Sequence, residues 1–326
     1  MTVIVTGAAG FIGYHVSEAL VERGERVVGV DNLNAYYDPA LKDSRLARLR
    51  ERPGFSFHRL DVADRDGMLA LFDAEPDCAG VVHLAAQAGV RHSLTDPYSY
   101  VSANVMGQVV VMEACRRLPS LKHLVYASSS SVYGGNTKLP FSIDDPVEQP
   151  RSLYAASKRA AELEAACYAH LYGLPMTGLR FFTVYGPWGR PDMAAYLFAD
   201  AILAGRPIHV FNQGEMKRDF TYIEDIVRGV LGALDRPPST ENGAIPHRVY
   251  NLGNHRSEDL MRFIAVIESA CGREAVKEFK EMQPGDVKET YADIEASQRD
   301  LGFEPRVTID EGLPRFVSWF RDYHGL

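Results

Sequence analysis

The first half of the chain alternates short apolar runs with longer amphipathic stretches. Residues 3–6, 26–30, 55–60, 80–84, 123–128 and 176–182 form the apolar runs, as in Val3-Ile4-Val5 and Val27-Val28-Gly29-Val30. Near-continuous β-branched runs suit strands buried on both faces. Between them, residues 11–23, 68–73, 97–117 and 152–172 carry the helical period. Strands alternating with helices imply βαβ units, so the predicted fold is α/β with a doubly wound parallel sheet.

After residue 186 the pattern loosens. Residues 187–191 and 236–246 read as loops and 208–211 as a short strand. Residues 192–204, 223–234, 260–272 and 309–324 read as helices, and 248–252 as a strand returning to the sheet. The expected organisation is a larger domain over 1–186 and a smaller C-terminal lobe over 187–326, interwoven with the sheet through that strand. No internal repeat or low-complexity segment appears.

Composition narrows the function classes. The chain has 326 residues, 46% hydrophobic and 24% charged, which is ordinary for a globular protein. A net charge of −8 argues against a nucleic-acid surface, which needs a basic patch. A few placed arginines would still suffice for an anionic ligand. No apolar run reaches 18 residues and no basic segment precedes an apolar one near residue 1, so neither a membrane span nor a secretory signal is expected. Cys78, Cys115, Cys167 and Cys271 are far apart in sequence, without a C-x-x-C pair. Reduced thiols in a cytoplasmic protein are expected, with no zinc site or disulfide.

The first strand runs straight into Gly7-Ala8-Ala9-Gly10-Phe11-Ile12-Gly13, a G-x-x-G-x-x-G turn that opens a helix. Such a turn in that place lets the backbone approach a pyrophosphate, and the helix N-terminus offers it N–H groups. This points to a dinucleotide in a Rossmann fold. Asp31 and Asn32 end the second strand, where a carboxylate accepts bonds from the adenosine ribose hydroxyls. A carboxylate repels a 2′-phosphate, and no arginine follows directly, so NAD is expected over NADP. Asp61, followed by Val62, reads either as an adenine contact or as a helix N-cap. Leu84, Ala85 and Ala86 end a further strand, the two alanines small enough for close approach to a flat cofactor.

Tyr154 and Lys158 lie four apart on a predicted helix, hence on one face. A lysine ammonium favours the phenolate, lowering the tyrosine pKa so that it can take a proton from a sugar hydroxyl. Four serines, Ser128 to Ser131, close the fifth strand where the sheet would meet the cofactor. Their hydroxyls suit binding a substrate oxygen.

Together these motifs resemble the extended short-chain dehydrogenases/reductases that act on nucleotide sugars, over essentially the whole chain. The resemblance implies a Rossmann domain with a substrate-binding lobe, bound NAD and a third catalytic residue, Ser129, twenty-five positions before Tyr154. The dehydratases of that family carry Asp-Glu after this hydroxyl residue and the UDP-glucuronate decarboxylases a glutamate at the second position; here stand Ser130 and Ser131. Residues 128–142, 180–194, 211–227 and 282–287 are similar to the UDP-glucuronate 4-epimerases of the family. Thr183 and Gln283 stand where UDP-galactose epimerases have asparagine and arginine.

What the glucuronate resemblance implies is NAD-dependent epimerisation at carbon 4 of UDP-glucuronate, through a 4-keto sugar. Ser130, Ser131 and Thr183 would hold the sugar carboxylate with Arg190 close by, and Arg218 would contact the diphosphate. Arg91 is a further candidate substrate contact. On position alone, Arg91 and Arg190 read equally as surface and loop residues. Decarboxylation through the same 4-keto sugar and epimerisation of another UDP-sugar are the alternatives. The predicted helices 97–117 and 152–172 carry apolar residues beyond one face, such as Val109 to Met112, so a homodimer joined through a four-helix bundle is expected.

Overall fold

The computed structural model describes residues 1–239, 243–282 and 287–326. Strands β1 (Thr2–Thr6), β2 (Arg26–Asp31), β3 (Phe55–Arg59), β4 (Cys78–His83), β5 (His123–Ser129) and β6 (Met176–Phe181) alternate with helices. These are α1 (Phe11–Glu22), α2 (Pro39–Arg50), α3 (Arg65–Asp73), α4 (Pro97–Tyr100), α5 (Gly107–Cys115) and α6 (Leu153–Tyr172). After β6 come β7 (Thr183–Tyr185), α7 (Ala194–Ala204), β8 (Ile208–Phe211), β9 (Lys217–Arg218), β10 (Phe220–Tyr222) and α8 (Ile223–Leu234). The chain continues through β11 (His247–Leu252), β12 (Glu258–Asp259), α9 (Leu260–Cys271), β13 (Lys277–Lys280), α10 (Glu295–Leu301) and α11 (Ile309–His324).

Seven strands form one parallel sheet in the order β11-β6-β5-β4-β1-β2-β3. The expected returning strand is β11, paired with β6 from His247 beside Met176 to Leu252 beside Phe181. Alternate residues of each strand feed opposite cores. Val3, Val5, Val82 and Val125 pack into one cluster, and Ile4, Val28, Val81 and Leu124 into the other. That two-sided burial is why the strands read as continuous apolar runs. Strand order reverses between β1 and β4, so the connections leaving their carboxyl ends diverge and open a crevice.

Several elements differ from the expectation. Helix α2 escapes the pattern because its buried face includes Lys42 and Arg45 beside Leu41, Leu46 and Leu49. Its cues are the Asp38 cap, whose carboxylate accepts from the Ala40 N–H, and Pro39 in the first turn. The expected helix 97–117 is α4 and α5 joined by a π-helical segment, Val101–Met106. The expected short strand at 208–211 is β8, but its partner β13 and the strands of the pairs β7 with β10 and β9 with β12 have two to four residues, too short for a legible period. Gln283, and with it most of the 282–287 similarity, lies outside the described residues. All four cysteines are free thiols, three buried and Cys167 exposed. Among the described residues, no helix is long and apolar enough to cross a membrane.

Candidate active site

Every site residue singled out in the sequence lines one cleft of about 1180 Å³ at the carboxyl end of the sheet. The cleft begins at the glycine turn. Gly7 has φ +72°, and a Cβ there would lie 2.7 Å from the Ala85 amide nitrogen. A Cβ on Gly13 would fall 2.0 Å from the Gly7 carbonyl oxygen. No side chain caps α1 at Gly10, so the helix start keeps N–H groups for a ligand. Phe11 is buried and Ile12 partly buried, both lining the cleft.

Asp31 is buried at the end of β2 and accepts from the Ala9 and Leu33 N–H groups at 3.2 and 2.8 Å. Lys42 Nζ lies 3.8 Å from its Oδ1, a cation that short-range sequence reading misses because it arrives from α2. Burial pulls the Lys42 pKa down, against the Asp31 charge. Asn32 donates to Asp61, whose other oxygen accepts from the Ala63 N–H. Asp61 is not a helix N-cap: α3 starts at Arg65 and is capped by Asp64. Val62 is buried, and Leu84, Ala85 and Ala86 run past Gly7.

Tyr154 and Lys158 project from α6 into the cleft beside Ser129 at the end of β5. Lys158 is buried and donates to the Ala127 carbonyl at 2.9 Å. Burial lowers its pKa to about 8. The Tyr154 hydroxyl is pushed up by burial; a hydrogen bond with Ser129 and the Arg190 charge oppose this. The Tyr154 ring stands edge-on to Tyr100, centroids 6.1 Å apart.

Ser130 and Ser131 start a 3-10 turn, with the Ser131 N–H donating to Ser129 Oγ at 3.2 Å. Thr183 heads β7 across the cleft, its N–H held by the Asp219 carbonyl. Arg190 is paired with Asp192, Nε to Oδ1 at 3.0 Å and Nη2 to Oδ2 at 2.5 Å, and the Tyr36 hydroxyl also donates to Oδ2. Arg91 is exposed at the cleft edge, its guanidinium 5.0 Å from the Phe211 ring centroid. Arg218 donates to the Lys217 and Lys288 carbonyls.

Other contributors carried weaker signals. Asp192 follows Arg190 by two positions, and Glu162 extends the Tyr154, Lys158 spacing by four more. Asn104 is a polar residue within an apolar helix. It sits in the π-helical segment, exchanges hydrogen bonds with the Gln87 backbone, and donates to Ser157 at 2.9 Å. It thereby ties the segment after β4 to α6. The described residues hold no cluster of three His, Cys, Asp or Glu side chains suited to a metal ion.

The family model that matches, over residues 3–253, is the NAD dependent epimerase/dehydratase family. UDP-glucuronate 4-epimerase 3 of Arabidopsis thaliana is 47% identical over 99% of this chain and 77% of its own. The crystal structure of UDP-glucuronic acid 4-epimerase from Bacillus cereus, with UDP-glucuronic acid and NAD, is similar at TM-score 0.90 and 34% identity, over 99% of this chain and 100% of that one. That of UDP-glucose 4-epimerase from Thermotoga maritima, with UDP-glucose, is similar at TM-score 0.89 and 30% identity, again over 99% and 100%. This chain belongs to the NAD dependent epimerase/dehydratase family; it is an enzyme, and its cofactor is NAD.

Proposed function

We propose that the enzyme inverts carbon 4 of UDP-glucuronic acid, giving UDP-galacturonic acid through a 4-keto intermediate. One observation carries the substrate assignment. Ser130, Ser131, Thr183 and Arg190 share the cleft with Tyr154, a set of donors suited to a carboxylate beside the reacting carbon. No carboxylate stands at positions 130 and 131, where a dehydratase or decarboxylase of this family would place one. The similarity to glucuronate epimerases supports the same reading.

The residues present fit NAD. The side-chain-free approach at Gly7, the uncapped start of α1 and the carboxylate of Asp31 would hold pyrophosphate and adenosine ribose. Held there, NAD would supply reversible hydride acceptance at carbon 4, with no net redox change. Tyr154 removes the carbon-4 hydroxyl proton and gives it back on reduction. Ser129, beside the Tyr154 hydroxyl, orients the same substrate oxygen. Lys158, fixed on the Ala127 carbonyl, lines the same cleft one turn of α6 after Tyr154, and its ammonium would favour the phenolate. The 4-keto sugar is a β-keto acid, which loses carbon dioxide when its carboxylate aligns with the ring π system. Donors on several sides of the carboxylate oppose that alignment.

A second reading, epimerisation of a neutral UDP-hexose, draws on the similarity to the UDP-glucose epimerase. The test is incubation of the holoenzyme with UDP-glucuronate and, separately, UDP-glucose, followed by NMR of the products. UDP-galacturonate from the first supports the proposal. Turnover of UDP-glucose alone sinks it, and UDP-pentose with carbon dioxide points to a decarboxylase.

A further inference from the structure

Asp192 gives both its carboxylate oxygens to Arg190, and Tyr36 donates to one of them at 2.9 Å. The three side chains line the cleft but come from two segments, one between β2 and α2 and one between β7 and α7. Both segments are firmly seated. A Cβ on Gly89 would lie 2.3 Å from the Tyr36 hydroxyl, and the Tyr36 ring packs at a tilt against His92, centroids 4.8 Å apart. Buried Arg45 donates to the carbonyls of Trp188, Gly189 and Ala9, tying the Arg190 loop to the glycine turn. The pair is therefore built into the site on rigid supports.

We propose that Asp192, steadied by Tyr36, determines specificity and turnover: it offsets the Arg190 charge so that a sugar carboxylate is gripped weakly enough to be released while the ring turns over. The inference rests on the inversion of UDP-glucuronate proposed above. Inversion at carbon 4 requires the ring to present its other face, so contacts to its substituents break within each turnover. An uncompensated arginine in a partly buried site would hold a carboxylate tightly in the ground state, and ground-state grip slows the step that must break it. With Asp192 in place, the arriving carboxylate meets an ion pair of zero net charge and a like-charged neighbour. A neutral hexose feels neither. Burial works against ionisation of Asp192, but Arg190 and the Tyr36 hydroxyl hold its carboxyl below the usual carboxylate range, so the offset persists at neutral pH.

The experiment compares Asp192→Asn with the wild type as holoenzymes. Dissociation constants for UDP-glucuronate, UDP-glucose and UDP are measured by calorimetry with Tyr154→Phe added to both, which keeps the sugars unreacted. Steady-state kinetics with UDP-glucuronate use the Tyr154 forms. The affinity for UDP-glucuronate relative to UDP-glucose should rise by about tenfold, the effect of one nearby like charge removed. KM and kcat should fall together, and UDP binding should hold. An unchanged or smaller ratio, or a kcat at or above wild type, overturns the proposal. So does loss of UDP binding along with both sugars, which would make Asp192 a structural residue. Tyr36→Phe removes one bond to Asp192 and keeps its charge, so its ratio should stay near wild type. A shift as large as that of Asp192→Asn would mean that loop order, not charge, sets the ratio. A wild-type enzyme inactive on UDP-glucuronate sinks the parent reading before any variant is compared.

Discussion

Gly7→Ala tests the cofactor turn because conformation and space both exclude a side chain there. Its φ of +72° is left-handed, which costs an L-residue roughly 1–2 kcal/mol. The added methyl would also meet the Ala85 nitrogen at 2.7 Å and the Leu84 carbonyl carbon at 2.8 Å, where ordinary contact begins near 3.4 Å. Both atoms are backbone, so β1 and the segment after β4 must separate by several tenths of an ångström. Overpacking of that kind costs about 1–3 kcal/mol, for a total of about 2–5 kcal/mol. Gly24→Ala isolates the conformational part, since Gly24 has φ +86° and nothing within 4 Å of an added Cβ. At roughly 2–4 °C per kcal/mol for a large domain, Gly7→Ala should melt several degrees below Gly24→Ala. It should also lose most of its co-purifying NAD, because the turn that must shift is the one proposed to face the pyrophosphate, while Gly24→Ala keeps it. Scanning calorimetry and chromatographic NAD quantification read both effects. Equal melting points with wild-type NAD content in Gly7→Ala would refute the reasoning.

Tyr154→Phe removes one hydroxyl and should lower turnover by roughly 10²–10⁴-fold with the fold intact by circular dichroism; near wild-type rates would remove Tyr154 from the chemistry. Apo-protein should bind NAD about tenfold or more tightly than NADP through the Asp31 carboxylate, Lys42 notwithstanding, and equal calorimetric affinities would overturn that role. Buried His83 and His123 have pKa values lowered by desolvation to about 3 and about 4. Folded pKa values below the unfolded 6.5 mean stability that is full above pH 6.5 and lost as pH falls, about 2 kcal/mol per histidine by pH 5; a flat urea-unfolding profile over that range contradicts this. Exposed Leu163, Leu171 and Tyr172 on α6 fit a homodimer, so light scattering at micromolar concentration should give twice the chain mass, and a monomer mass would count against it.

The sheet was legible because two-sided burial leaves unbroken apolar runs, and the glycine turn because its spacing is dictated by backbone contacts. Helix α2 was hidden for the opposite reason. Its inward face carries Arg45, whose guanidinium is satisfied by carbonyls of two distant loops and by the Tyr37 hydroxyl. A cation buried by such partners looks, in sequence, like a solvated one. The same blindness affected Arg190: the family resemblance implied a place near the substrate carboxylate, while the presence of Asp192 and Tyr36 depended on how two loops meet. Short-range order is written in periodicity, but the pairing of charges across loops is written only in the fold.

The polar groups beneath the serine turn explain how these parts keep register. Ser128 donates to Glu162 at 2.6 Å, and Glu162 receives Arg180 through two bonds of 2.8 and 2.9 Å. Arg180 continues to the Tyr133 hydroxyl, which donates to Asn251, and Asn251 donates to the carbonyls of Phe141 and Asp293. A buried ion pair adds little net stability over an apolar replacement, yet losing one partner costs about 3–5 kcal/mol because the other charge is stranded. Such a network therefore tolerates only one arrangement of the elements that carry it. Here those elements are α6, which bears Tyr154 and Lys158, β5, which bears the serines, and the segments at Phe141 and Asp293 that reach β11 through Asn251. Proton transfer falls off steeply with misplacement. A polar core that fixes the tyrosine helix against the serine strand is thus better understood as a constraint on geometry than as a source of stability.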